Sequence, residues 1–222
     1  MQINESDKKE FKSIYFDNKN IYTKALVKEK VYGEVIIEEN GNYYRQWNPF
    51  KSKYCAGLKN GLKENVFKKN STVLYLGSAE GTTVSHVSDI VSDGMIFCID
   101  LSEIAMQKLT ALAEKRDNIF PILSDANKIE NYTEFIEEES VDVLFQDVSQ
   151  RNQAEIFIQN IGFLKKGGWG VLSLKTKSIS QKDKKEILAD EKIKLEKYFI
   201  IEQIISIEPF EKEHYLILMR KI

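Results

Sequence analysis

The sequence predicts an α/β fold: a mostly parallel sheet sheathed by helices, closed by an antiparallel terminal hairpin and preceded by a small β module. Three observations carry that reading. From about residue 51 onward, short β-branched runs alternate with longer amphipathic stretches. The last two runs are separated only by PFEKE (209–213), too short for a crossover helix, so they must pair antiparallel. Residues 1 to about 50 show instead the alternation of apolar and polar residues expected of short antiparallel strands.

In the first region, IYTKALVK (21–28), VYGEVIIEE (31–39) and NYYRQW (42–47) read as strands, the last two joined by a turn-like ENGN at 39–42. They define a module over residues 1–50, and a larger domain follows over 51–222. That domain offers seven candidate strands: TVLYLG (72–77), MIFCID (95–100), IFPIL (119–123), VDVLFQD (141–147), WGVLSLK (169–175), FIIEQIISIE (199–208) and HYLILMR (214–220). Between them Ala105, Leu109 and Leu112 recur at helical spacing, and Ile156, Asn160 and Phe163 do so less cleanly. Gly167 and Gly168 are expected to stop the second of these helices. The run KDKKEILADEKIKLEKY (182–198) reads as a solvated helix with an apolar stripe at Ile187, Ile193 and Leu195.

Bulk properties narrow the function classes. A chain of 222 residues buries roughly 70% of its unfolded surface, enough for a core without staples. No apolar run approaches the ~20 residues of a membrane helix, and MQINESDKKEFKS lacks the apolar centre of a secretion signal. A cytoplasmic protein is the expectation. Cys55 and Cys98 are not closely spaced, so both are expected to be reduced and structural, with no metal site. The net charge of −2 argues against coating nucleic acid by bulk electrostatics, so binding to RNA would need a local basic patch or a partner.

Chemistry concentrates in two places. In LYLGSAEGTTVSHVSDIV (74–91) a strand ends at Gly77, a tight loop runs through Gly81, and Thr82 or Thr83 can cap the next helix. Asp100 ends the following strand, where a carboxylate bonds ribose hydroxyls in nucleotide-binding folds. The glycine spacing alone fits a plain strand-to-helix turn equally well. Glu80 tips the balance against a pyrophosphate, which an acid at a helix N-terminus repels; S-adenosylmethionine, a sulfonium cation without phosphate, tolerates it. Asp125, after the third strand, could bond an adenine amino group or be a solvated turn residue. The second place is the C-terminal edge of the sheet, where open α/β folds bind ligands. There Asp147, Lys175 and His214 converge from three strand ends. Singly they read as a helix cap, a surface lysine and a turn residue; jointly they form a set able to orient or deprotonate a hydroxyl. His86 reads as a packed or capping residue.

Five parallel strands with a terminal hairpin is the architecture of class I methyltransferases, and the motifs sharpen this. YYRQWNPFKSK (43–53), LYLGSAEGTTVSHVSDIV (74–91), QDVSQ (146–150), SLKTKSI (173–179) and EPFEKEHY (208–215) together resemble the fibrillarin family, in its short archaeal-type form. The resemblance implies S-adenosylmethionine-dependent 2′-O-methylation of rRNA or tRNA, guided by box C/D RNA. It implies a catalytic set at Lys175, Asp147 and His214, and cofactor contacts at Gly77, Ala79, Thr82, Thr83, Asp100, Asp125 and Gln150. The implied partners are a C/D scaffold protein, a kink-turn-binding protein and the guide RNA. Arg45, Lys51 and Lys53 are candidates for RNA phosphate contacts, with a solvated patch as the other reading. The chain departs from the family's usual residues at Glu80, Asp100, Gln146 and Glu213, all outside the catalytic three. Two other classes stay open: a methyltransferase of proteins or small molecules, and a structural subunit without catalysis. Self-association through the N-terminal module is also left open.

Overall fold

A computed structural model describes residues 2–222 of the chain. The N-terminal part forms β1 (Asn4–Glu5), β2 (Tyr15–Phe16), β3 (Ile21–Lys24), β4 (Ile36–Glu39) and β5 (Asn42–Trp47). These strands make one antiparallel sheet in the order β1-β2-β3-β5-β4. β1 and β2, two residues each, are too short to leave a sequence pattern.

The rest comprises α1 (Lys53–Lys59), β6 (Thr72–Leu76), α2 (Thr82–Ile90), β7 (Met95–Asp100), α3 (Glu103–Ala113), β8 (Ile119–Leu123), β9 (Val141–Gln146), α4 (Gln153–Gln159), β10 (Leu164–Lys175), α5 (Thr176–Ile179), α6 (Lys184–Leu195), β11 (Phe199–Ser206) and β12 (His214–Lys221). The seven-stranded sheet runs β11-β12-β10-β9-β6-β7-β8. β8, β7, β6, β9 and β10 are parallel, while β12 is antiparallel to both neighbours. The chain order reverses between β6 and β9, so loops leaving their C-terminal ends diverge and open a crevice there.

Alternation along each strand feeds two cores. Val73 and Tyr75 of β6 face one, with Tyr54 of α1, Val84 and Val87 of α2 and Leu109 of α3; Leu74 and Leu76 face the other, with Phe157 of α4 and Leu195 of α6. Ile14, Ile21 and Trp47 belong to the first core, so the N-terminal sheet is joined to the larger one by shared apolar packing. Cys55 and Cys98 are buried and free. Among the described residues no helix is long and apolar enough to cross a membrane.

Three local expectations are corrected. Gly167 and Gly168 lie inside β10 and stop no helix: α4 passes into a 3₁₀ turn at Asn160–Phe163, and the strand bulges between Leu164 and Trp169, with Gly167 at φ +71°. Neither Thr82 nor Thr83 caps α2, whose cap is Gly81 in the left-handed conformation. On α6, Ile187 and Leu195 are buried but Ile193 is 61% exposed. The stripe bends around the helix because Glu191 takes the inner position, accepting from the Ala154 N–H at the start of α4.

Candidate active site

Asp147 follows the last residue of β9, and its carboxylate is the centre of the site. Lys175, ending β10, holds its Nζ 3.0 Å from Oδ1. Its hydrogen bonds go elsewhere, to the Asp147 main-chain carbonyl at 3.1 Å and the Ser149 hydroxyl at 2.9 Å. Oδ1 is thus buried and held by the Lys175 charge alone. Lys53, opening α1, donates to Oδ2 at 3.1 Å. One carboxylate sits between two ammonium groups, with all three side chains at least three-quarters shielded.

His214 opens β12 directly opposite Lys175 in the antiparallel pair, so the two side chains leave the same face of the sheet. Its Nδ1 lies 2.7 Å from the Lys212 carbonyl; a carbonyl only accepts, so Nδ1 carries the proton and Nε2 is the acceptor of the neutral ring. Burial, reinforced by the Lys53 charge, holds this imidazole below its ordinary pKa, against the pull of the Lys212 carbonyl.

Lys53, Asp147 and Lys175 border a cavity of about 450 Å³ whose other walls include Gly77, Ala79, Asp100 and Gln150. Gly77 is required by close approach and by its φ of +78°: a Cβ there would come within 2.8 Å of the Asp147 carbonyl oxygen. Asp100, ending β7, is fixed by two backbone donors, Ala79 N–H to Oδ2 at 2.8 Å and Ser102 N–H to Oδ1 at 2.9 Å. Asp125 meets the wall through Gln150, whose amide donates to its Oδ1 at 3.4 Å. The Asn127 amide N–H donates to the same oxygen and holds this carboxyl below the usual range. Oδ2 of Asp125 has no protein partner among these bonds.

Several expected site residues lie elsewhere. Thr82 and Thr83 are not on the cavity wall: Thr83 Oγ1 donates to Ser52 Oγ at 3.0 Å, and Thr82 lines a separate cleft beside α3. Glu80 faces that cleft too and pairs with Lys108, so its charge does not address a ligand in the cavity. Arg45 is corrected outright. It is fully buried where the N-terminal sheet packs on α2, pairing with Glu34 at 2.6 Å and Asp89 at 2.8 Å, and has no path to an RNA phosphate. Lys51 is exposed. Lys53 pairs with Asp147 on the cavity wall, a place its sequence position does not suggest. Ser149 is likewise new, as the hydroxyl that aims Lys175. His86 is buried as expected, between Thr23 and Tyr32 and stacked on Trp47. Among the described residues no group of three or more His, Cys, Asp or Glu is placed to hold a metal.

Comparison with known proteins identifies the family. The family model described as Fibrillarin matches residues 5–222. A fibrillarin-like rRNA/tRNA 2′-O-methyltransferase of Methanococcus voltae is 46% identical over 202 residues, covering 89% of this chain and 88% of that protein. The crystal structure of Aeropyrum pernix fibrillarin in complex with natively bound S-adenosyl-L-methionine superposes with a TM-score of 0.89 at 34% identity, covering 99% of this chain and 98% of the other. The crystal structure of a fibrillarin/Nop5p complex matches with a TM-score of 0.87 at 33% identity, covering 95% of this chain and 98% of the other. The chain belongs to the fibrillarin family.

Proposed function

We propose that this protein transfers the methyl group of S-adenosylmethionine to ribose 2′-hydroxyls of rRNA and tRNA. The observation that carries the reading is the Asp147 carboxylate held between Lys53 and Lys175 at the edge of the Gly77–Asp100 cavity. The cavity suits the cofactor. Asp100, fixed by two N–H groups, presents its remaining lone pairs to vicinal hydroxyls. Asp125 Oδ2 is free to accept from an exocyclic amine. Gly77 keeps the turn bare, and the carboxylates favour a cation in a partly shielded site.

When bound, the cofactor supplies a methyl group on a sulfonium, a leaving group that needs no proton. What remains is to place and deprotonate a poor nucleophile. Ser149 and the Asp147 carbonyl fix the Lys175 ammonium, Lys53 anchors the far carboxylate oxygen, and the carboxylate orients the lysine beside which a ribose hydroxyl would lie. His214 Nε2 stands beside this pair as an acceptor.

The chain acts as the catalytic subunit of a box C/D particle. A scaffold protein of the kind in the fibrillarin/Nop5p complex brings it to a guide RNA, and a kink-turn-binding protein completes the assembly. Recruitment of this kind accounts for a net charge of −2 in an RNA enzyme. Lys51 is the remaining candidate for a phosphate contact.

The test is to assemble the full chain with scaffold, kink-turn protein and a guide RNA, supply methyl-labelled cofactor and map the label. The expected result is one ribose 2′-O-methyl at the guided nucleotide. Label on a base, on protein or independent of the guide would refute the reading.

A further inference from the structure

We infer that Gln153 is a positioning residue for the active-site lysine, its side-chain amide replacing the strand rung that β9 no longer supplies at Lys175; the inference rests on the role of Lys175 proposed above. The β9–β10 ladder ends at Gln146 opposite Leu172. Past that point the chain leaves the sheet through Asp147 toward α4, while β10 continues to Lys175. The Lys175 peptide therefore extends beyond its parallel neighbour.

Gln153, the first residue of α4, fills the gap. Its Oε1 accepts from the Lys175 N–H at 2.9 Å, and its Nε2 donates to the Lys175 carbonyl at 3.1 Å. A backbone N–H can only donate and a carbonyl only accept, so the amide orientation is determined. One side chain holds both backbone groups of one residue, as a neighbouring strand would.

Gln153 is itself tied to the other half of the site. Its main-chain carbonyl accepts from Gln146 Nε2 at 2.7 Å, and Gln146 immediately precedes Asp147. Both glutamines are fully buried. A run of amides thus joins the backbone carrying Asp147 to the backbone carrying Lys175. Placing the Gln153 amide there is costly unless its bonds are made, and both are; a methionine would fill the same volume. What the amide adds is a hold on the Lys175 backbone from the β9 side, opposite the β12 pairing, and the two bonds from Nζ to Asp147 and Ser149 leave little room for displacement. Misplacement by ~1 Å costs about a hundredfold in rate.

The experiment uses the assembled particle and two variants. Gln153→Met keeps volume and removes both bonds. Gln153→Glu keeps an acceptor for the Lys175 N–H and, when ionised, loses the donor to the carbonyl. Methyl-transfer kcat, cofactor Kd by calorimetry and the pH profile are measured alongside wild type. The expected result for Gln153→Met is a kcat lower by about 10–100-fold with cofactor Kd within about twofold, since the cofactor walls are untouched. For Gln153→Glu the deficit relative to wild type shrinks toward acid pH, where the protonated carboxyl regains a donor.

A Gln153→Met enzyme with wild-type kcat overturns the inference, as does a parallel loss of kcat and cofactor affinity. If that variant does not fold, Gln153→Glu decides: a deficit that does not change with pH, or no deficit, overturns it. A wild-type particle that transfers no methyl overturns the function proposed above as well; normal wild-type turnover with unimpaired variants overturns only the role of Gln153.

Discussion

The contact between the N-terminal sheet and α2 and the edge of the cavity each hold a carboxylate between two cations, yet the two clusters are built to opposite ends. Where that sheet meets α2, Asp89 takes Arg45 on Oδ2 and Arg116 on Oδ1, and also accepts from the Thr23 hydroxyl and the Leu26 N–H. Its side chain and both guanidinium groups are at most 1% exposed. At the cavity, Asp147 meets one lysine on each oxygen and stays partly open, with its side chain 15% exposed. Arginine suits the dry cluster because its planar fork locks onto several acceptors at once; lysine suits the open one because a flexible point charge can yield to a substrate. The lesson is that burial and the kind of cation, more than the sign pattern of the charges, separate the two clusters.

That contrast can be broken, and the largest effect belongs to the cavity. Lys175→Met or Asp147→Asn should lower methyl transfer by about 10²–10⁴-fold while the melting temperature stays close to wild type; a melting loss matching the turnover loss would erase the distinction. Arg45→Met should do the reverse. It leaves Glu34 and Asp89 short of a buried partner and costs about 3–5 kcal/mol in denaturant unfolding, with turnover per folded molecule unchanged. If instead turnover collapses while unfolding is untouched, the buried cluster has a functional role. Lys53→Met should give an intermediate result, about a tenfold loss in kcat, or ~1.4 kcal/mol in the barrier, since Lys175 still faces the other oxygen.

The smallest effect is a pH dependence of stability. Burial, with the charges of Arg45 and Arg116, holds His86 well below its ordinary pKa. The unfolded chain therefore binds this proton more readily than the folded one. The contribution is fully present above pH ~6.5, the unfolded value, and is lost as pH falls below it. Unfolding measured at pH 5 and pH 7.5 should show a smaller difference in His86→Gln than in wild type. The pH profile of turnover, which belongs to the cavity, should not move with that variant.

Much of the site was legible because it depends on topology. β-branched runs mark the parallel strands, and parallel strands bring their C-terminal ends to one edge, so Asp147, Lys175 and the oppositely directed His214 meet without any side-chain detail. What escaped depends on packing. Arg45 was grouped with Lys51 and Lys53 as one basic segment, but the N-terminal sheet lies against α2, where Ser85 accepts from the Arg45 guanidinium. Lys53 reaches Asp147 across 94 residues, and only the Ser52 cap of a short helix hints that its side chain is aimed at all. Glu80 was weighed as a ligand-facing charge, but its side chain turns toward Lys108. The fold thus follows from periodicity, whereas the direction of each charged side chain follows from which neighbour answers it.

The bare turn at Gly77 has one more consequence. Because a single carbon atom would not fit between it and the Asp147 carbonyl, the turn after β6 and the peptide after β9 touch backbone to backbone, and neither can move toward the other. Any side chain at position 77 would push the two apart, so this wall of the cavity tolerates nothing larger than glycine.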